Sequence, residues 1–165
     1  MERHRIHELF TEDMLNSIID IMNDPQNTSN NMKVDKILDV LVPKGFSEIG
    51  PGTNRLCVKY KEYVYKIAMD TYGIRDNWNE FDMSPRLQPY VTKTYECNGI
   101  VNVAEYVNLI SKNEFIDSKE HIRSILKFLS RDYLFCDLST NMKNYLNYGW
   151  RDTGDIVIID YGLTK

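Results

Sequence analysis

The sequence predicts an α+β protein in which two helices precede a region of strands and turns. Apolar residues recur at helical spacing from Met14 to Met22, and again from Val34 to Leu41. Residues 46–107 instead consist mostly of short extended segments separated by residues that favour turns. Helices followed by antiparallel strands are typical of the α+β class.

Length and composition are those of a globular protein. The chain has 165 residues, of which 42% are hydrophobic and 27% are charged. Its net charge is −4 and the two signs are mixed along the chain, so we expect no nucleic-acid partner. The apolar runs are too short for a transmembrane helix, and no apolar region follows the charged first residues. We therefore expect neither a membrane association nor a signal peptide.

Cysteine usage and residue bias bear on where the protein acts. Cys57, Cys97 and Cys136 are widely spaced and form no CxxC motif. They fit reduced thiols in the cytoplasm better than a disulfide framework or a zinc site. Abundant Asn, Tyr, Ile and Lys with few Ala are typical of an AT-rich genome, such as that of a virus or a low-GC bacterium. For a viral protein the expected location is the host cytoplasm.

The first predicted unit, residues 1–45, is helical. Thr11 is a good N-cap for the first helix, and the polar, turn-favouring stretch 24–31 separates it from the second. Pro43 and Gly45 end the second helix. Both helices have an apolar face that must be buried against another part of the protein.

The region that follows is predicted as strands around one helix. After a short extended segment (46–49) and a tight loop (50–54), the sequence predicts a hairpin of 55–60 and 62–68, a helical piece at 77–87, and a second hairpin of 89–97 and 100–107. The second hairpin is centred on Asn98-Gly99, a preferred two-residue turn.

The last third alternates between helix and strand. Residues 117–120 read as a capping box, and Ile122, Ile125 and Leu129 share one face of the helix behind it. Two apolar strands follow, at 133–136 and 155–159. An aspartate stands at the end of each.

Five polar residues stand out by their order and context. They are Lys66 in an apolar strand, Glu80 in the polar helix, Asp137 and Asp160 at the ends of apolar strands, and Asn144 in the loop between them. Taken one at a time, each is more often an ordinary surface, capping or turn residue. Taken together and in this order, they form a pattern.

That order resembles the protein-kinase-like fold family, as a truncated and atypical member. The resemblance covers residues 46–165 and ends just after Asp160-Tyr161-Gly162. It implies a small lobe at 46–107, made of a five-stranded antiparallel sheet and a helix, and a minimal large lobe at 108–165. We expect the N-terminal helices to cover surface that further large-lobe helices would otherwise bury.

The resemblance also implies a nucleotide site for ATP. Gly50 and Gly52 would belong to the loop that covers the phosphates, and Lys66 would contact the α- and β-phosphates. Glu105 and Val107 would lie in the hinge, whose backbone hydrogen-bonds an adenine.

The catalytic and metal roles follow from the same resemblance. Glu80 would pair with Lys66 and hold it in position, and Asp137 would be the catalytic aspartate that takes the proton of a hydroxyl acceptor. Asp160 and Asn144 would hold Mg²⁺, which prefers oxygen ligands. Asn141 remains a rival to Asn144, which we prefer because the residues behind it, Tyr145-Leu146, look like the next strand.

The chain departs from the kinase pattern at two points of chemistry. Arg55 stands where the third glycine of the phosphate-covering loop is expected, so this loop would grip phosphate less closely. Phe135-Cys136 precede Asp137 where many kinases have His-Arg. Without that arginine, a phosphorylated activation loop would lack its counter-charge.

Three functions remain open from the sequence. The first is a kinase-like nucleotide-binding protein, with a minimal phosphotransferase activity that moves the ATP γ-phosphoryl group to a hydroxyl. The second is a catalytically inactive kinase-like interaction protein, for instance a viral or phage factor that binds and modulates a host protein. The third is a plain α+β binding module, which would be favoured if Lys66 and Asp160 lay far apart.

Overall fold

The protein is a mixed α+β structure built around a five-stranded antiparallel sheet, as the sequence predicts. Its computed structural model describes residues 5–133 and 139–161. The strand order in the sheet is β1-β2-β3-β5-β4. These strands are β1 (Ser47–Pro51), β2 (Arg55–Tyr60), β3 (Tyr63–Ala68), β4 (Thr94–Cys97) and β5 (Val101–Glu105).

The helices lie before, within and after this sheet in sequence. They are α1 (Ile6–Leu9), α2 (Glu12–Asn23), α3 (Asn30–Leu41), α4 (Thr71–Leu87), α5 (Lys112–Asp117) and α6 (Lys119–Leu129), with 3-10 helices at Val42–Lys44 and Met142–Asn147. A second sheet has the order β6-β7-β8, made of β6 (Asn108–Leu109), β7 (Tyr148–Trp150) and β8 (Ile156–Ile158).

The N-terminal helices share one core with the five-stranded sheet. Thr11 caps α2 as predicted, because its side-chain oxygen accepts a hydrogen bond from the Met14 amide at 3.2 Å. Ile18 and Ile37 are fully buried in a cluster that also contains Phe46 and Tyr65. Our expectation that these helices cover surface belonging to the large lobe is therefore wrong. Their apolar faces cover the sheet itself.

The hairpins differ in how closely they follow the sequence. The hairpin of β2 and β3 is confirmed, with Arg55 opposite Ala68 and Tyr60 opposite Tyr63. The second hairpin is shorter than predicted, because residues 89–93 lie outside β4. Val91 instead forms a parallel bridge with Ile158 of the second sheet. This stretch therefore connects the two sheets.

Helix α4 begins earlier than the sequence indicates. Asp70 is its N-cap, and its carboxylate accepts a hydrogen bond from the Gly73 amide at 2.8 Å. The helix thus also includes residues 71–76, which precede the predicted helical piece. It lies against β3 and β5 and carries Glu80 on its buried face.

A second core lies between α5, α6 and the three-stranded sheet. It contains Phe115, Ile122, Ile125 and Ile158, so the predicted apolar face of α6 is confirmed. The predicted capping box at 117–120 is wrong. The box is made one helix earlier, where the Ser111 hydroxyl accepts from the Glu114 amide and the Glu114 carboxylate accepts from the Ser111 amide.

Within residues 5–133 and 139–161, no helix is both long enough and apolar enough to cross a membrane.

Candidate functional site

Glu80 and Lys66 form a buried ion pair at the centre of the candidate site. Lys66 lies on β3 and is 1% exposed, and Glu80 lies on α4 with no exposed surface. The Lys66 ammonium donates to both carboxylate oxygens of Glu80, at 2.7 and 2.9 Å. Neither residue is therefore the ordinary surface residue that it resembles when taken alone.

Arg55 joins this pair, although sequence reasoning noted it only as a missing glycine. Its Nη2 atom donates to Glu80 Oε1 at 2.8 Å and to Asp160 Oδ1 at 2.6 Å. Its Nη1 atom donates to the side-chain oxygen of Asn77 at 3.3 Å. The signal that could have found it is an arginine at the start of a strand whose next residues are Leu56, Cys57 and Val58.

Further hydrogen bonds complete the surroundings of Glu80. Asn102 on β5 donates its side-chain amide to Glu80 Oε2 at 3.2 Å, and the Tyr161 backbone amide donates to Oε1 at 3.3 Å. Lys66 also donates to the carbonyl oxygen of Ile159 at 2.6 Å. The region around Asp160 is thus held against α4 and β3. We refer to Arg55, Lys66, Glu80 and Asp160 as the ion network.

The charges of the ion network stabilise one another. Burial alone would raise the pKa of Glu80, but Arg55 and Lys66 outweigh it and lower the pKa to about 2. Burial would likewise lower the pKa of Arg55, but the carboxylates of Glu80 and Asp160 raise it instead. The pKa of Asp160, by contrast, is raised, because burial outweighs the opposing effect of Arg55 and Lys66.

A cavity of about 280 Å³ opens beside the ion network. It lies between the first three strands of the five-stranded sheet, the segment after β5 and Ile159, which precedes Asp160. Its walls include Ile49, Cys57, Val64, Lys66, Thr92, Glu105, Val107 and Ile159. Three of the residues predicted to bind a cofactor, Lys66, Glu105 and Val107, are therefore brought together around one space.

The two predicted glycines are not among the lining residues of this cavity. Gly50 lies on β1 opposite Cys57, and Gly52 follows the strand in the loop to β2. The Gly52 amide donates to the carbonyl oxygen of Arg55 at 2.7 Å. The loop around Gly52 is thus closed by its own backbone.

Thr92 provides a polar group at the cavity wall that the sequence did not reveal. The residue is 1% exposed, and its hydroxyl has no hydrogen-bond partner within the described part of the chain. A buried hydroxyl without a partner costs free energy. The neighbouring thiol of Cys57 is also at the wall, and burial raises its pKa.

The two predicted magnesium ligands, Asp160 and Asn144, each bind another side chain. The Arg55 guanidinium donates to Oδ1 of Asp160, one of its two carboxylate oxygens. Asn144 donates its side-chain amide to the Ser139 hydroxyl at 2.8 Å, and no hydrogen bond between described residues joins it to Asp160. Among residues 5–133 and 139–161, no cluster of three or more His, Cys, Asp or Glu side chains could hold a metal ion. With Oδ1 of Asp160 bound to Arg55, the described residues present no ready-made Mg²⁺ site.

Two further site predictions concern Asp137 and the choice between Asn144 and Asn141. Asp137 and Gly162 lie outside the described residues. The reason for preferring Asn144 over Asn141 is wrong, since Tyr145 and Leu146 lie in the 3-10 helix Met142–Asn147 rather than in a strand. Asn141 caps that helix through its side-chain oxygen, which accepts from the Lys143 amide.

A second ion pair, also missed from the sequence, fixes the edge of the cavity. Arg151 donates to both carboxylate oxygens of Glu105, at 2.8 and 3.1 Å. It also donates to the carbonyl oxygens of Pro89 and Val91, at 2.7 and 2.9 Å. We call this arrangement the Arg151 clamp, and it ties the end of β5 to the second sheet.

Comparison with known proteins adds little. No protein-family model matches the chain, and no curated protein matches it. Among solved structures, it is similar to the complex of Rv3197 with erythromycin from Mycobacterium tuberculosis, at 12% identity and a TM-score of 0.45. The likeness covers 97% of this chain and 58% of the length of that protein. A likeness of this extent carries no argument about fold or function.

Proposed function

We propose that this chain is a kinase-like nucleotide-binding protein whose site is the cavity beside the ion network. The observation that carries the proposal is the convergence of Lys66, Glu105 and Val107 on one cavity next to a buried Lys66–Glu80 pair. The roles of these residues were predicted together, as what the kinase-like resemblance implies. Lys66 also hydrogen-bonds the residue next to Asp160, so the condition favouring a plain binding module is not met.

The shape and chemistry of the cavity suit a purine base. Ile49, Val64 and Val107 give it apolar walls, on which a flat aromatic ring can be buried. Tyr106 and Val107 lie between β5 and β6 and line the cavity, which supports the proposal that their backbone is the hinge for an adenine.

Phosphoryl transfer is the reaction that the resemblance implies for such a site. The acceptor would be a hydroxyl group, and Asp137 would take its proton. The described residues support the binding of a nucleotide. The proposal that the γ-phosphoryl group of ATP is transferred depends on Asp137, which lies outside the described residues.

A second candidate function has one observation in its favour. The carboxylates and cations of the ion network satisfy one another without any ligand, as expected when such residues are retained for structure. The protein would then be a catalytically inactive kinase-like protein that binds a host or regulatory partner. Its exposed aromatic residues, including Tyr72 and Trp78, are available for such a contact.

Filling the cavity tests the first function against the second. Val64 lines the cavity on the same face of β3 as Lys66, so Val64→Phe should fill the space while leaving all four residues of the ion network unchanged. We expect calorimetric titration to show ATP binding to the wild type and at least about tenfold weaker binding to this variant, a loss of about 1.4 kcal/mol. Val42→Phe, at a half-exposed site away from the cavity, is the matched control and should bind as the wild type does.

Two outcomes would count against the proposal. Equal ATP affinity in the Val64→Phe variant would place the nucleotide somewhere else. No binding of ATP, ADP or adenosine to the wild type at millimolar concentration would favour the interaction protein. The search would then turn to a protein partner.

A further inference from the structure

The contact between Arg55 and Asp160 is the feature of the site that a simple nucleotide pocket does not require. The distance between Arg55 Nη2 and Asp160 Oδ1 is 2.6 Å, within the range of a strong charge-assisted hydrogen bond. The side chain of Arg55 is 7% exposed, whereas that of Asp160 is 54% exposed. A buried cation therefore reaches out to a carboxylate at the edge of the site.

Arg55 is fixed in this position by other groups. It is held by Glu80 at 2.8 Å and by Asn77 at 3.3 Å, and Asn77 is itself buried and bonded to the backbone of β3 and of the β4–β5 loop. The guanidinium would have to break these contacts to leave. An arginine side chain keeps its charge at any pH at which the protein is folded.

The charges within the ion network already balance. Arg55 and Lys66 supply two positive charges, and Glu80 and Asp160 supply two negative ones. The three donors of the Lys66 ammonium are matched by three acceptor oxygens, two on Glu80 and one on Ile159. Arg55 already binds Oδ1 of Asp160, so a divalent cation would have to share this carboxylate with the guanidinium or displace it.

We infer that Arg55 takes at Asp160 the part that a divalent cation would otherwise take, so that nucleotide binding in this cavity does not require Mg²⁺. This inference rests on the proposed nucleotide-binding function. Arg55 then determines whether the site needs a metal ion to bind a nucleotide. It occupies the position where the resemblance expects a glycine, which has no side chain that could bind Asp160.

Asp160→Asn separates this role from that of a metal ligand. If Asp160 held Mg²⁺ with the nucleotide, its loss would weaken ATP binding in magnesium by at least about tenfold. If Asp160 is instead the partner of Arg55, the variant removes one negative charge near the phosphates. ATP then binds as tightly as to the wild type or a few times more tightly. Because this side chain is half exposed, the variant should fold.

The experiment is a calorimetric titration with ATP, in excess EDTA and in excess MgCl₂ at one ionic strength. We expect the wild-type dissociation constants in the two buffers to agree within about threefold, or about 0.6 kcal/mol. Arg55→Gln leaves Glu80 and Asp160 with one cation, so it should weaken binding in EDTA by about tenfold and make binding depend on Mg²⁺. Arg55→Lys, which keeps the charge, should bind in EDTA better than Arg55→Gln. Arg75→Gln, at an exposed arginine of α4, is the control.

The outcomes distinguish the inference from the function on which it rests. Wild-type binding that requires Mg²⁺, or loss of binding in Asp160→Asn, overturns the inference and leaves nucleotide binding intact. No ATP binding to the wild type in either buffer overturns both. Should Arg55→Gln fail to fold, the wild type and Asp160→Asn alone decide between the two roles of Asp160.

Discussion

The ion network and the Arg151 clamp use the same chemistry in different surroundings. Each pairs a glutamate with cations that come from elsewhere in the sequence. The Glu80 side chain has no exposed surface and that of Lys66 is 2% exposed, whereas the side chains of Glu105 and Arg151 are 18% and 14% exposed. Water can therefore still reach the clamp after one partner is removed, but it cannot reach Glu80.

The difference shows that a buried ion pair affects stability most strongly when one of its partners is removed. Removing charge from water is costly, so a complete buried pair contributes little net stability while an incomplete one is strongly destabilising. The clamp follows another rule, because Arg151 also satisfies the carbonyl oxygens of Pro89 and Val91. Its contribution is that of several hydrogen bonds to one charged group.

The largest effect should come from Glu80→Gln. The amide cannot neutralise Lys66 and Arg55, which are 1% and 6% exposed, so these two buried cations keep only Asp160 as a counter-charge. We expect the free energy of unfolding, measured by urea denaturation, to fall by about 3–5 kcal/mol. Glu120→Gln removes a carboxylate from an exposed pair with Arg123 and should change it little. Equal effects of the two changes would mean that burial does not set the strength of the network.

Acid should weaken the ion network next. The folded protein lowers the pKa of Glu80 from an ordinary 4.5 to about 2, so the folded state binds fewer protons than the unfolded chain in this range. The stability from this group is present above pH 4.5 and is lost as the pH falls toward 2. A lowered pKa of this size corresponds to about 3 kcal/mol.

Unfolding curves between neutral pH and pH 2.5 would measure this loss. The pKa of Glu105 is also lowered, against the effect of burial, by its hydrogen bonds to Arg151 and the Lys93 amide, so the clamp adds a loss of the same sign. Glu80→Gln should therefore show a shallower dependence on pH than the wild type without becoming independent of it. Parallel curves for the two proteins would contradict the low pKa of Glu80.

The sequence predicted the paired elements well because their signals are local. Apolar spacing identified α2, α3 and α6, and strand residues around a turn at Lys61-Glu62 identified β2 and β3. Local signals failed for the segment that makes contacts between the two sheets. Residues 89–93 read as strand, but their partners lie in the second sheet and near Arg151.

At the candidate site, local sequence signals likewise failed to identify the long-range contacts of the cations. Lys66 and Glu80 could be found because their order resembles a known pattern. Arg55 was visible as a departure from that pattern, yet nothing local indicated that it lies 2.6 Å from a residue 105 positions away. Arg151 follows a tryptophan in a polar stretch, and its bond to Glu105 spans 46 positions. Such contacts depend on the packing of the two sheets.

The smallest expected effect concerns the Arg151 clamp. Arg151→Met keeps much of the side-chain volume but removes the hydrogen bonds to Glu105, Pro89 and Val91. We expect the free energy of unfolding to fall by about 2 kcal/mol, less than for Glu80→Gln, because water can hydrate the groups that remain. Arg151→Lys keeps the charge without the planar fork and should recover less than half of this loss. Arg123→Met, which removes an exposed arginine, is the control. A loss as large as that of Glu80→Gln would show that the junction between the sheets, rather than the buried charges, dominates the stability of this region.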